Sequence, residues 1–189
     1  MKNVILETGQ KITIAGKEYT VIEQVEGSKY KVLAIDTFQH RFDASSIEYA
    51  NSEIATYLDN DYYNTLPENI KNAIVEIAIQ QKVLSTGYDS GKNRPTEYWT
   101  GEVRDTGIHK VFLPSWDEAT KVYGTDKLKA YAPNGWTWLR DIYNYLVLYF
   151  VLYMDDCGNL SNGHPSINLY VRPAMVLDLS KVKYAALLA

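Results

Sequence analysis

Trp136-Thr137-Trp138-Leu139-Arg140, then Asp141, then IYNYLVLYFVLYMDDCGNLSNGHPSINLY over residues 142–170, then Val171-Arg172-Pro173-Ala174: this stretch decides how the chain is read. What residues 142–170 omit carries the information. Lys, Arg, Glu, Gln and Trp are all absent. In residues 1–140 the types Lys, Glu, Gln, Met and Trp together occur 33 times, a rate that would place about seven in this segment, yet it holds one, Met154. Those five are the amino acids that no codon ending in a pyrimidine encodes. A buried strand pair explains the apolar half, Leu146 to Met154, because cores exclude Lys, Glu and Gln. It does not explain Asn159 to Tyr170, where Ser161, Asn162, His164, Ser166 and Asn168 mark a polar stretch without Lys or Glu, the usual residues of a solvated loop. A recognition surface accounts for both halves.

Outward from this segment, Asn134-Gly135 is a turn signal that opens a carboxy-terminal β region running from Trp136 to Leu179. Val111-Phe112-Leu113 predicts a short strand. Ser115 and Glu118 stand in capping-box spacing and predict a helix to Val122. Thr86 to Gly107, rich in Gly, Ser, Asp, Asn and Thr, predicts a long irregular connection interrupted by Tyr98 and Trp99. From Pro67 two readings stay open: Ile70, Ile74 and Ile77 share a helical face, while Val75, Ile77 and Ile79 alternate like a strand. Ser52 caps a short amphipathic helix through Ile54, Tyr57 and Leu58 that Asp59-Asn60-Asp61 weakens. At the amino end, Ile12, Ile14, Tyr19 and Val21 alternate around Ala15-Gly16-Lys17, and Gly27-Ser28 offers a second turn, so the first 36 residues predict a small antiparallel meander. No repeat and no domain boundary interrupts the 189 residues.

Composition narrows the function. A net charge of −4, from 19 basic and 23 acidic side chains spread along the chain, offers no footprint for a phosphate backbone. The single Cys157 excludes an intrachain disulfide, and His40, His109 and His164 lie too far apart for zinc-ligand spacing. Met1 to Gln10 has no apolar signal core, and the longest apolar run, Leu146 to Met154, is far short of the roughly 20 residues needed to cross a bilayer. Synthesis in the cytoplasm is expected, with virion association compatible. A nucleophile with its base, a phosphate loop, a GxSxG turn and a helical HExxH are all missing, so the expectation is no enzyme and no cofactor. Asp155-Asp156 with Gly158-Asn159 resembles part of a calcium loop but lacks its alternating carboxylates and distal Glu, and reads as a hairpin turn. His164 beside Pro165 reads as a surface loop residue. The 16 tyrosines suit both half-buried strands and binding surfaces.

The frame of Trp138-Leu139-Arg140 and Val171-Arg172-Pro173-Ala174 resembles the WLR…VRPA frame of a bacterial and phage family with the C-type-lectin-like fold seen in formylglycine-generating enzymes. Ser52 to Tyr63 is similar to the family's SxIxxYLNxxFY helix, with Asp59 in place of Asn, and Lys110 to Glu118 is similar to its KVFLLSxxE stretch. Many members are variable proteins of diversity-generating retroelements, in which error-prone reverse transcription of template adenines turns AAY codons into any codon ending in a pyrimidine. That mechanism implies the residue set of 142–170. Met154 stands where the family carries a core valine and Gly158 at its turn glycine. Asp141-Ile142 in place of Ser-Pro, Cys157 in place of Asp and Tyr170 in place of Gly depart from the pattern. The copper-binding cysteine pair of the related oxidases and the Glu-Pro-Asn or Gln-Pro-Asp triplet of calcium-dependent lectins are both missing.

The resemblance implies one α+β domain over 1–189, with small antiparallel sheets, two or more short helices and long irregular loops. Residues 1–140 would be scaffold, 141–170 a variable ligand-binding segment, and 171–189 a closing strand and tail. Tyr143, Tyr145, Tyr149, Tyr153 and Tyr170 are expected as rigid contacts, Leu146 and Leu148 as apolar ones, and Asn144, Asp155, Asn162, His164 and Asn168 as adaptable polar ones. Trp136, Trp138, Arg140, Arg172 and Pro173 would be scaffold. The expected partner is a protein or cell-surface ligand, with oligomerisation compatible and nucleic acid excluded. The alternative is a structural phage or prophage protein that uses 146–154 as an assembly interface.

Overall fold

Ala15 and Gly16 both have positive φ, 52° and 76°, the geometry of a two-residue turn whose twist matches an antiparallel hairpin. They join β1 (Lys11–Ile14) to β2 (Lys17–Glu26), with Ile14 opposite Lys17, and β3 (Lys29–Ala34) returns along β2. The expected meander is therefore present. The computed structural model describes residues 5–89, 94–125, 127–145, 148–182 and 185–187.

After β4 (Phe38–Arg41), Ser52 caps α1 (Glu53–Tyr57) by accepting the Ala55 N–H, as expected. Asp59-Asn60-Asp61 does not end the helix. The chain passes through a π-helical turn, Leu58–Tyr62, into α2 (Tyr63–Thr65). The reason is tertiary: the Asp59 carboxylate accepts main-chain N–H groups of Lys110 and Val111, which a residue with poor helix propensity on a free helix would not do. Beyond Pro67 the helical reading holds only for a single turn, α3 (Glu68–Lys71), which includes Ile70; Ile74 and Ile77 do not share its face but stand in strands, Ile74 in β5 (Ile74–Val75) and Ile77 at the start of the next, as the alternating reading has it.

The stretch from Thr86 to Gly107 corrects the expected irregular connection. β6 (Ile77–Asp89) and β7 (Arg94–His109) form one long antiparallel ribbon. Its register slips opposite Lys82/Leu84 and Ala78/Gln80, where Gly101 and Gly107 take positive φ, so these glycines mark bulges inside strands. β8 (Val111–Phe112) and α4 (Trp116–Tyr123) follow, the latter with both halves of the Ser115/Glu118 capping box formed. The carboxy-terminal β region comprises β9 (Thr137–Tyr145), β10 (Leu148–Met154), β11 (Leu160–Gly163), β12 (Asn168–Val171) and β13 (Ala174–Asp178), with β14 (Ala185–Leu187) beyond.

Two sheets result. One runs β14-β1-β2-β3-β13-β5, with β8 also on β13; the other runs β11-β10-β9-β12-β4, with β6 on β9 and β7 on β6. Pairing is antiparallel except for β6 and β12 against β9. With four short α-helical pieces among the described residues this is an α+β architecture. Trp138, Tyr49, Phe42, Tyr19, Tyr131 and Phe112 are among the large fully buried side chains of the core, and Trp138 meets Phe42 edge to face at 6.0 Å. Among the described residues no helix is long and apolar enough to cross a membrane.

Candidate functional site

The segment 142–170 is built around β9. β10 lies antiparallel on one side of it, with Phe150 opposite Tyr143, and β11 pairs outside β10, with Gly163 opposite Val151. The chain then crosses to the other side of β9, where Tyr170 of β12 stands opposite Thr137. The crossing is pinned at Pro165, whose carbonyl accepts the N–H groups of Phe42 and Asp43 at 3.0 Å each.

Burial divides the expected contact residues. Tyr143 and Tyr153 are not displayed: each keeps 7% of its surface. Tyr143 is flanked in the sheet by Phe150 and Leu84, and Tyr153 stacks on Trp136 at 5.2 Å while meeting Trp138 edge-on. Burying a ring of this size removes a large apolar surface from water, so both act as packing side chains. Val151, Leu152 and Met154 are likewise buried in this chain's own core, which withdraws them from any assembly interface. Asp155 is half-buried and forms the turn: its Oδ1 accepts from the N–H groups of Cys157 (2.9 Å) and Asn159 (2.8 Å), and its Oδ2 from the Asn159 amide. Gly158 completes that turn at φ 91°, where a Cβ would come within 2.6 Å of the Lys129 nitrogen.

Tyr149, His164 and Asn168 are exposed, and Asn144, Asn162 and Tyr170 are half-buried. The Arg104 guanidinium lies 5.1 Å over the Tyr149 ring and is itself held by Glu102 and Glu48. Asn144 stands opposite Tyr149, and its Oδ1 has no hydrogen-bond partner among the described residues. His164 Nδ1 lies 2.8 Å from Ser166 Oγ. Leu146 and the side chains of Tyr145 and Leu148 fall outside the described residues. Sequence reasoning missed the neighbours of this face: β6 runs beside β9 at Val83–Ser85, which brings Arg104 and the exposed Trp99 of the ribbon to the segment. Trp99 was the one available signal.

The expected scaffold residues are held by charge and hydrogen bonds. Arg140 donates to Glu118 from two nitrogens (2.6 and 3.2 Å), to the Leu113 carbonyl and to the Gln80 carbonyl. Lys31 joins the same carboxylate at 2.7 Å and reaches Glu23 at 2.8 Å. Burial would raise the Glu118 carboxyl, but Arg140 and Lys31 hold it down at about 2. These groups floor a cleft of about 610 Å³ between β2, β3, α4 and the ribbon, rimmed by Lys82, Asp105, Asp117 and Lys121. Its four cations and four anions balance, and its floor pairs internally, which is the arrangement of a structural network. Asp141, fully buried, receives the Lys82 and Trp116 N–H groups, one on each oxygen; burial still pushes its carboxyl up to about 6. Arg172 donates to the carbonyls of Ala34, Ala130 and Tyr131, which ties β3 to the Leu128–Ala130 turn.

Potential metal ligands group at Asp155, Asp156 and Cys157, one atom from each within 4.8 Å, on the exposed turn where Asp155 already serves the backbone.

A search of the curated proteins and one of the solved structures return no match. A family model described as Domain of unknown function (DUF6273) matches residues 28–179. That span starts at the turn before β3, takes in β3, β5, β8 and β13 of the first sheet, every strand named above for the second and the whole of 142–170, and ends just past β13; β1, β2 and β14 lie outside it. The chain belongs to the DUF6273 family.

Proposed function

We propose that the chain is a non-catalytic binding protein that displays residues 142–170 as a diversified surface for a protein or cell-surface ligand, in the manner of retroelement variable proteins with a C-type-lectin-like scaffold. One observation carries the reading. Among the described residues of the segment, Tyr149, Asp156, Cys157, Asn159, His164, Ser166, Ile167 and Asn168 are exposed, so burial cannot account for the absence of Lys, Glu and Gln from them. A codon-level constraint accounts for it at exposed and buried positions alike. The interior β9–β10 pairing, with Trp138, Arg140 and Arg172 anchored outside the segment, supports the same reading, since it holds the strands without relying on the exposed side chains.

The test is the gene and its surroundings. Codons for 142–170, apart from fixed positions such as Met154, are expected to end in T or C, with a near-copy rich in AAY and a reverse transcriptase gene close by. Ordinary third-base usage across the segment, with no such copy, overturns the proposal.

A further inference from the structure

His109, at the end of β7, has both ring nitrogens on acceptors: Nδ1 lies 2.6 Å from Asp59 Oδ2 and Nε2 lies 2.8 Å from the Thr106 carbonyl oxygen. A carbonyl only accepts, so Nε2 carries a proton. Asp59 Oδ1 already accepts the N–H groups of Lys110 (2.8 Å) and Val111 (3.1 Å), which leaves Oδ2 facing Nδ1. A ring protonated on both nitrogens donates to both acceptors. A neutral ring would turn a lone pair toward the carboxylate.

The groups around it are few. Tyr49 covers the ring at 5.3 Å, its hydroxyl accepting the Leu113 N–H; Arg140 of β9 opposes the charge; Lys110 is turned onto Tyr63 and toward Glu76. Burial and Arg140 disfavour the charged ring, yet Asp59 and the Thr106 carbonyl outweigh them and raise His109 above the ordinary histidine value. Because Ile77 pairs with His109, the pair sits at the base of the β6–β7 ribbon, and Asp59 belongs to the π-helical turn.

We propose that Asp59 and His109 form a pH-sensitive latch that fastens the base of the β6–β7 ribbon to the helical segment and releases as pH rises. Nothing in it depends on what the segment 142–170 binds. Below about 6.5 the ring is charged in the folded and the unfolded chain alike, so the stabilisation is fully present; it is lost as pH rises through the raised folded value. Each unit of elevation corresponds to about tenfold in the folding equilibrium constant. Release loosens β7 at Thr106–His109, and β6 carries β9 on its other edge, so the effect reaches the strand that starts the segment.

The experiment is imidazole nitrogen NMR on the full chain from about pH 5 to about pH 10, paired with thermal unfolding of wild type and Asp59→Asn. In the variant the amide oxygen still accepts from Lys110 and Val111, while its NH2 donates to a neutral Nδ1, so the fold survives with an uncharged ring. The expected result is a doubly protonated His109 at neutral pH in wild type, a midpoint that falls as that signal titrates, and no matching fall in Asp59→Asn. A singly protonated His109 in wild type at pH 7, or an equal fall in both proteins, overturns the latch. If Asp59→Asn does not fold, the wild-type ring signal decides alone, since its titration must coincide with the loss of stability.

Discussion

Arg140 and Glu118 are both buried, so neither can lose its partner cheaply. Removing one side of a buried, hydrogen-bonded ion pair leaves the other uncompensated; Arg140→Ala is expected to cost about 3 to 5 kcal/mol in denaturant unfolding. Glu118→Gln carries a pH signature. The Glu118 carboxyl sits at about 2 in the folded protein, below the ordinary Glu value of about 4.3. Its contribution is thus present above about 4.3 and lost as pH falls toward the folded value. The stability gap between wild type and Glu118→Gln should be widest at neutral pH and close steadily on acidification, as read from thermal midpoints. A gap independent of pH would mean that Glu118 contributes through shape alone. The Glu118 charge also helps to raise the Asp141 carboxyl, so Glu118→Gln is expected to lower Asp141 as well, and the gap reads the coupled pair.

At the scale of elements, two local devices have different worth. The Ser115 cap satisfies the Glu118 N–H, and the Glu118 side chain returns to the Ser115 N–H at 2.9 Å. Ser115→Ala should cost about 1 kcal/mol by urea unfolding. Gly158→Ala should cost more, because an alanine there combines unfavourable positive φ with a Cβ placed 2.6 Å from the Lys129 nitrogen, which belongs to main chain and cannot swing aside. The turn Asp155–Asn159 is thus a fixed joint between β10 and the 3-10 turn Leu128–Ala130. If Gly158→Ala is neutral, that packing is not what holds the turn.

Across the whole molecule, scaffold and displayed surface should separate. Tyr149, His164 and Asn168 are exposed, and replacing all three by alanine should leave stability within about 1 kcal/mol of wild type. Trp138→Ala, which opens a void between Phe42 and Tyr153, should cost roughly 3 to 5 kcal/mol. Calorimetry on the two proteins compares them directly. The opposite order would place the load of the fold on the surface and the binding face in the core. The ribbon belongs to this scale as well: Arg104, from outside the segment, lies over the exposed Tyr149 ring of β10, so the candidate face is shared between the segment 142–170 and the ribbon.

Features that depend on near neighbours in sequence were legible from the residues alone. The Ala15-Gly16 hairpin, the Ser52 cap and the Ser115/Glu118 box each involve groups within a few residues, where backbone stereochemistry leaves little choice. Which tyrosines face outward was not legible. Period-two alternation fails in β10 because a bulge shifts register between Val151 and Tyr153, and Val151, Leu152, Tyr153 and Met154 are consecutively buried. The ribbon was hidden for a related reason, its glycines serving bulges in strands while resembling a loop. Pairings such as Asp59 with His109, 50 residues apart, and Lys31 with Glu118, 87 apart, exist only once the sheets and helices pack. Local chemistry selects the elements, but burial, register and charge partners are properties of surfaces brought together by the collapsed chain, and no short stretch of sequence contains them.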